Sequence, residues 1–121
     1  MNDELTVEID LSKTKQWKNK KELLHRLDGP AIERSDGTKE WWKNGERHRE
    51  DGPAVEFNDG YKEWWFEGRI HREDGPAIVF PTGKKIWWLD NIDYKTKEDW
   101  FSALSDEAKA KCLFDEDFLN G

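Results

Sequence analysis

The feature that most constrains this chain is its similarity to itself. It aligns as LHRLDGPAIERSDGTKEWWKNGE from Leu24, RHREDGPAVEFNDGYKEWWFEGR from Arg47 and IHREDGPAIVFPTGKKIWWLDNI from Ile70, a period of 23 residues. His25, His48 and His71 are equivalent, as are Asp28, Asp51 and Asp74, the Gly-Pro pairs that follow them, and the pairs Trp41-Trp42, Trp64-Trp65 and Trp87-Trp88. A period of this length belongs to stacked supersecondary units, each unable to bury its own apolar face and dependent on its neighbours.

Within each unit the signals are those of strands. A β-branched position (Ile32, Val55, Ile78) precedes a turn ending in Gly37, Gly60 or Gly83, and a Trp-rich run follows. Each unit therefore carries a β-hairpin, and a second punctuation at Asn44-Gly45 and Glu67-Gly68 turns the chain again. The Asp-Gly-Pro step ends the next segment, because Pro lacks the amide proton that a central ladder needs. The expected fold is mainly β, an elongated antiparallel meander of three hairpin repeats forming one domain. The repeats span 24–92, with a degenerate N-terminal cap over 1–23 and a C-terminal helical cap over 93–121.

The flanks support those caps. Val7 and Ile9 repeat the alternation of Val55 and Phe57, and Trp17-Lys18-Asn19 echoes Trp42-Lys43-Asn44. Thr96 ahead of Trp100, Phe101 and Leu104 reads as a capped short helix, and Ser105 caps a second carrying Ala108, Cys112 and Leu113. These helices are expected to cover the last open sheet edge.

Charged residues make up 39% of the chain, a composition that would favour disorder were it not for eight Trp, each able to bury roughly 150–250 Å². The core must be aromatic. A net charge of −7 repels a phosphate backbone and argues against nucleic-acid binding and against an electrostatic hold on anionic lipid. No apolar run is long enough to span a bilayer. A single Cys, Cys112, allows no internal disulfide, and MNDELTVEID has no basic-then-apolar leader pattern, so a cytoplasmic location is expected.

Strand alternation puts one Trp of each pair on each face. With a two-residue turn, Ile32 pairs with Trp41, Val55 with Trp64 and Ile78 with Trp87, joined by Phe57, Phe66, Phe80 and Leu89 on the buried face. Trp42, Trp65 and Trp88 then fall in a mixed strip with Glu33 and Glu40. A three-residue turn shifts the pairing and swaps the Trp roles. Trp is enriched at interface hot spots, so Trp42, Trp65 and Trp88 are candidate binding residues. Arg26, Arg49 and Arg72 join them, since a guanidinium fork clamps carboxylate or phosphate, although the nearby acids oppose an anion. The plainer reading pairs each Arg with the Asp two residues on.

Equivalent His side chains on a sheet lie on the order of 10–14 Å apart, too far to share one zinc. His25, His48 and His71 are therefore structural, with Asp28, Asp51, Asp74, Trp41, Trp64 and Trp87, and no metal or other cofactor is expected. No nucleophile and base recur as a pair, and no glycine-rich phosphate loop follows a strand, so no enzyme is expected.

The run Trp42-Lys43-Asn44-Gly45-Glu46-Arg47-His48, with Gly52 and Asp59-Gly60 following, resembles the MORN repeat, which shares a period near 23 and a W-x-N-G-x-x-H-type core. The resemblance covers about residues 24–91. It departs where His is followed by Arg and an Asp-Gly-Pro-Ala step, and where a Trp-Trp pair replaces the usual Tyr and Gly pattern. The His-Arg-x-Asp-Gly-Pro-Ala form is similar to repeats in bacteriophage and bacterial proteins, some grouped with antitoxins. What this resemblance implies is a hairpin array used for binding. The leading expectation is a phage or bacterial accessory protein that inhibits a host defence factor or toxin by stoichiometric protein binding. The alternatives are a sequestering protein for a small nucleotide signal and a homo-oligomeric scaffold.

Overall fold

The computed structural model of the protein describes residues 5–120. Its strands are β1 (Thr6–Ile9), β2 (Lys15–Lys18), β3 (Ile32–Glu33), β4 (Lys39–Glu40), β5 (Trp42–Lys43), β6 (Glu46–Arg47) and β7 (Val55–Glu56), followed by β8 (Lys62–Glu63), β9 (Trp65–Phe66), β10 (Arg69–Ile70), β11 (Ile78–Val79), β12 (Lys85–Leu89) and β13 (Ile92–Tyr94). Three helices follow: α1 (Lys97–Ser102), α2 (Asp106–Leu113) and α3 (Glu116–Asn120). Nine strands form one antiparallel sheet in the order β1-β2-β3-β4-β7-β8-β11-β12-β13. The chain departs from a plain meander, because β5-β6 and β9-β10 form two-stranded ribbons outside that order.

The register is set by the turns. Arg34 and Thr38 close the first hairpin, with Arg34 N–H donating to Thr38 O at 2.9 Å and Gly37 N–H donating to Arg34 O at 3.0 Å. Asp36 Oδ1 accepts from Thr38 N–H at 2.8 Å. The loop is thus three residues, Ser35, Asp36 and Gly37, and Gly37 takes the left-handed φ of 95° that such a loop demands of its last residue. Phe57 with Tyr61 and Phe80 with Lys84 close the next two hairpins in the same way.

This loop length shifts the pairing by one residue from the two-residue expectation. Ile32 lies opposite Glu40, Val55 opposite Glu63 and Ile78 opposite Ile86. One row across the sheet therefore reads Gln16, Ile32, Glu40, Val55, Glu63, Ile78, Ile86, with Ile32, Glu40, Val55 and Ile78 buried. Trp42 and Trp65 belong to this face, each donating its indole N–H to the Glu two residues earlier, at 3.1 and 2.8 Å. Trp41 and Trp64 take the other face, so the two-residue assignment of the Trp rows is inverted. Phe57, expected in the interior, is 46% exposed.

The neighbouring row alternates charge: Lys15, Glu33, Lys39, Glu56 and Lys62 lie opposite one another across five strands. Opposite charges facing across antiparallel strands stabilise the pairing by up to about 1 kcal/mol each. Glu33 and Glu56 of this row also reach Arg26 and Arg49, at 3.8 and 3.3 Å, which ties the sheet to the motif arginines.

Thr96 and Ser105 cap α1 and α2, their hydroxyls accepting from Asp99 N–H and Ala108 N–H. Trp100, fully buried, anchors a cluster with Leu89, Leu104, Ala108 and Cys112. Trp87, Tyr94, Phe101 and Phe118 pack around it. Trp87 and Tyr94 are cross-strand partners, so the helices sit on a face of the β12-β13 hairpin. Leu113, expected to point inward, is 56% exposed. Among the described residues no helix is long and apolar enough to cross a membrane.

Candidate functional site

The His-Arg-x-Asp-Gly-Pro-Ala segment is the structural joint of the molecule. His25 N–H donates to Trp17 O, while Arg26 N–H donates forward to Trp42 O. The same pair of bonds recurs from His48 and Arg49 to Trp41 and Trp65, and from His71 and Arg72 to Trp64 and Trp88. Each segment therefore bonds through its backbone to two Trp-bearing stretches of chain and ties them together.

Each imidazole serves the next hairpin. His25 Nδ1 accepts from Asn44 N–H at 2.9 Å, His48 Nδ1 from Glu67 N–H at 2.9 Å and His71 Nδ1 from Asp90 N–H at 3.0 Å. Those donors open turns whose two central residues are both left-handed: Asn44-Gly45, Glu67-Gly68 and Asp90-Asn91. A left-handed non-glycine residue costs about 1–2 kcal/mol, and the imidazole bond helps to hold it there. An accepting Nδ1 places the ring proton on Nε2, which at His48 and His71 lies 3.7 and 3.4 Å from Glu50 and Glu73.

The arginines are locked more firmly. Arg49 Nε lies 3.2 Å from Asp51 Oδ1, its NH1 donates to Pro53 O at 3.0 Å and to Glu56 at 3.3 Å, and its Cζ stands 3.8 Å above the Trp41 ring. Arg26 does the same with Asp28, Pro30 and Trp17, and Arg72 with Asp74, Pro76 and Trp64. The remaining face of each guanidinium is covered by the motif glycine. A Cβ at Gly29, Gly52 or Gly75 would come within 3.0, 2.9 or 2.7 Å of the Arg Cζ. So Asp fixes the fork, Gly admits it, the Pro carbonyl receives it and the following Ala (Ala31, Ala54, Ala77) is fully buried beneath. A cation over an aromatic face contributes about 0.5–2 kcal/mol.

Gly75 gives the sharpest test of this packing, since it is not left-handed and its requirement is steric alone. Gly75→Ala is expected to destabilise by about 1–3 kcal/mol, as overpacking does. In a urea-denaturation double-mutant cycle, Arg72→Ala should relieve most of that cost; additive effects would place the glycine's role elsewhere.

At the end of the row no further Arg is available, and α1 supplies the cover. Trp100 packs on Trp87 with ring centroids 4.7 Å apart, Lys97 Nζ lies 5.8 Å from the Trp87 ring, and Trp100 Nε1–H donates to Arg72 O at 3.1 Å. Cys112 donates to Glu73 O at 3.4 Å, and burial together with Asp74 pushes its thiol pKa upward. Burial, and then the hydrogen bond to Glu63, likewise raise the Tyr61 phenol. Neither is an activated nucleophile.

Between successive joints the surface opens into grooves. The first, about 590 Å³, is lined by Arg26, Asp28, Trp41, His48, Arg49 and Asp51. The second, about 790 Å³, is lined by Arg49, Asp51, Trp64, His71, Arg72 and Asp74, each 23 residues after its counterpart. Phe66 replaces Lys43 in the second, and α2 with its N-cap Ser105 adds a side wall that includes Glu107 and Lys111. The Arg side chains are only 21–23% exposed, whereas Asp28, Asp51 and Asp74 are 85, 88 and 71% exposed. The rim thus offers carboxylates, and the guanidiniums serve the scaffold.

Of the residues singled out in the sequence, the structure brings Arg26, Arg49, Arg72, Asp28, Asp51, Asp74, Trp41 and Trp64 to the groove face and puts Trp42 and Trp65 on the opposite one. Glu40 and Glu63 fall beside Trp42 and Trp65 in the sequence reading, but their role as indole acceptors is not assigned there. Their signal was the Glu-x-Trp spacing in two of the three units. In the third unit Ile86 stands in that place, and among the described residues Trp88 Nε1 is buried without a partner. No three metal-ligating side chains converge among the described residues. In comparison with known proteins, the chain matches no protein-family model, no curated protein and no solved structure.

Proposed function

We propose that this chain is a non-enzymatic protein-binding module, a scaffold of 23-residue hairpin units that acts by stoichiometric binding. The observation that carries the reading is the pair of grooves repeated 23 residues apart, with walls of the same residue types. Repetition of a surface at fixed spacing suits an extended partner, as in other repeat proteins. The walls are held by Arg-Asp, Arg-Pro and Arg-Trp contacts, so little side-chain freedom is lost on binding, which favours affinity. The motif resemblance points to an accessory protein that inhibits a host defence factor or toxin. Locking of the guanidiniums disfavours their use as a clamp for a nucleotide phosphate.

The test is affinity capture with the tagged chain and with a groove variant, Glu50→Lys/Glu73→Lys, whose side chains line the grooves and are mostly exposed. The expected result is one protein held near 1:1 by the native chain, with affinity in the low-micromolar range or tighter, and lost from the variant. Capture that is indifferent to the substitutions would overturn the assignment of the surface.

A further inference from the structure

The carboxylate rim has a period. Each unit contributes two strands to the sheet, and strands lie about 4.8 Å apart, so successive joints stand about 10 Å from one another. Asp28, Asp51 and Asp74 recur at that interval, and Glu50 and Glu73 double the last two steps. All five side chains are more than half exposed, while Arg26, Arg49 and Arg72 are turned inward onto Trp17, Trp41 and Trp64. The surface seen by a partner is therefore a row of exposed carboxylates over grooves lined by Trp41 and Trp64, in which each Asp is paired with the Arg beneath it, Glu50 and Glu73 add uncompensated acid, and Lys43 and Lys111 stand in the walls. The second groove adds the Phe66 ring to Trp64.

A polyproline-II helix has three residues per turn and rises about 3.1 Å per residue, so positions i, i+3 and i+6 share one side at about 9.3 Å. A β-strand cannot match this, because residues three apart point to opposite faces. Polyproline-II segments also dock in aromatic-lined grooves, where their rings need little ordering. Resting on the protein-binding reading above, we infer that the groove face docks a basic polyproline-II segment of the partner, with a Lys or Arg at every third position opposite Asp28, Asp51 and Asp74. The chain's net charge of −7 draws such a segment toward it and repels an acidic one.

The test uses three synthetic peptides and the full chain: (Arg-Pro-Pro)4, its isomer with the four Arg in one block followed by eight Pro, and (Glu-Pro-Pro)4. Calorimetry at physiological ionic strength should show the periodic basic peptide binding about tenfold more tightly than the blocked isomer, and no binding of the acidic peptide. The indole N–H resonance of Trp64 should move during the titration. Asp51→Asn and, separately, Glu50→Gln/Glu73→Gln should each weaken the periodic peptide several-fold, circular dichroism confirming that both variants remain folded. Equal affinity for the periodic and blocked peptides would reduce the effect to bulk charge and overturn the inference, as would failure of all three to bind. If in that case the groove variant still loses a captured protein, the protein-binding reading stands and only the partner chemistry falls.

Discussion

Replacing Trp100 by Ala should lower the stability of the chain by about 3–5 kcal/mol, the cost of emptying a site that held a fully buried indole. Trp100 is the largest fully buried side chain, and it joins the helices to the sheet in two ways. Its ring covers Trp87, which lacks the arginine that covers Trp17, Trp41 and Trp64, and its indole N–H donates to Arg72 O at 3.1 Å. The loss should therefore reach beyond the helices, loosening the third joint at the backbone carbonyl of Arg72. Trp100→Phe separates the contributions: it keeps an aromatic cover over Trp87 and removes the hydrogen bond, so it should cost less. Urea midpoints of the two variants, read by far-ultraviolet circular dichroism to follow strands and helices together, measure this. A Trp100→Ala change that left the midpoint within about 0.5 kcal/mol of the native value would mean that α1 is not part of the core.

How much of this was readable beforehand depends on which interactions are local. The caps of α1 and α2 were legible because Thr96 and Ser105 reach only three residues ahead. The mainly β class and the turn positions were legible for the same reason, since Asp-Gly carries its own backbone preference. The face of each Trp was not, because one extra loop residue reverses it, and Ser-Asp-Gly suits both a two-residue and a three-residue loop. The role of the motif was legible only in part. The Arg-Asp contact two residues apart can be read from strand alternation, but the cover of Trp41 by Arg49 and the bond from Glu67 to His48 Nδ1 link neighbouring units. The ribbons β5-β6 and β9-β10 leave the main sheet order where the Trp pair changes partners. Trp41 N–H bonds Ala54 O, whereas Trp42 O accepts from Arg26 N–H.

The second large effect falls on the opposite face. Glu40 is 6% exposed, yet it accepts from three groups: Trp42 Nε1 at 3.1 Å, Arg34 NH2 at 3.2 Å and Arg47 NH2 at 3.4 Å. Arg47 also stands over the Trp42 and Trp65 rings, at 5.0 and 5.3 Å, so the carboxylate is the centre of a network joining two units. Removing one partner of a buried ion pair costs about 3–5 kcal/mol, but the side chains of Arg34 and Arg47 are 45 and 36% exposed and can turn to water. Glu40→Ala is therefore expected to cost roughly 2–4 kcal/mol, the lower figure applying if both cations rehydrate fully. Glu40→Gln keeps a carbonyl for the Trp42 indole and gives up the charge, so it should cost less than the Ala variant. High salt should narrow the gap between the native protein and either variant by a similar amount and leave the gap between the Gln and Ala variants largely in place, since screening weakens the ion pairs without restoring an acceptor. Thermal and urea unfolding of the three proteins at low and high ionic strength measures this. A Gln variant as unstable as the Ala variant would show that the charge matters more than the acceptor, and that the indole bond adds nothing of its own.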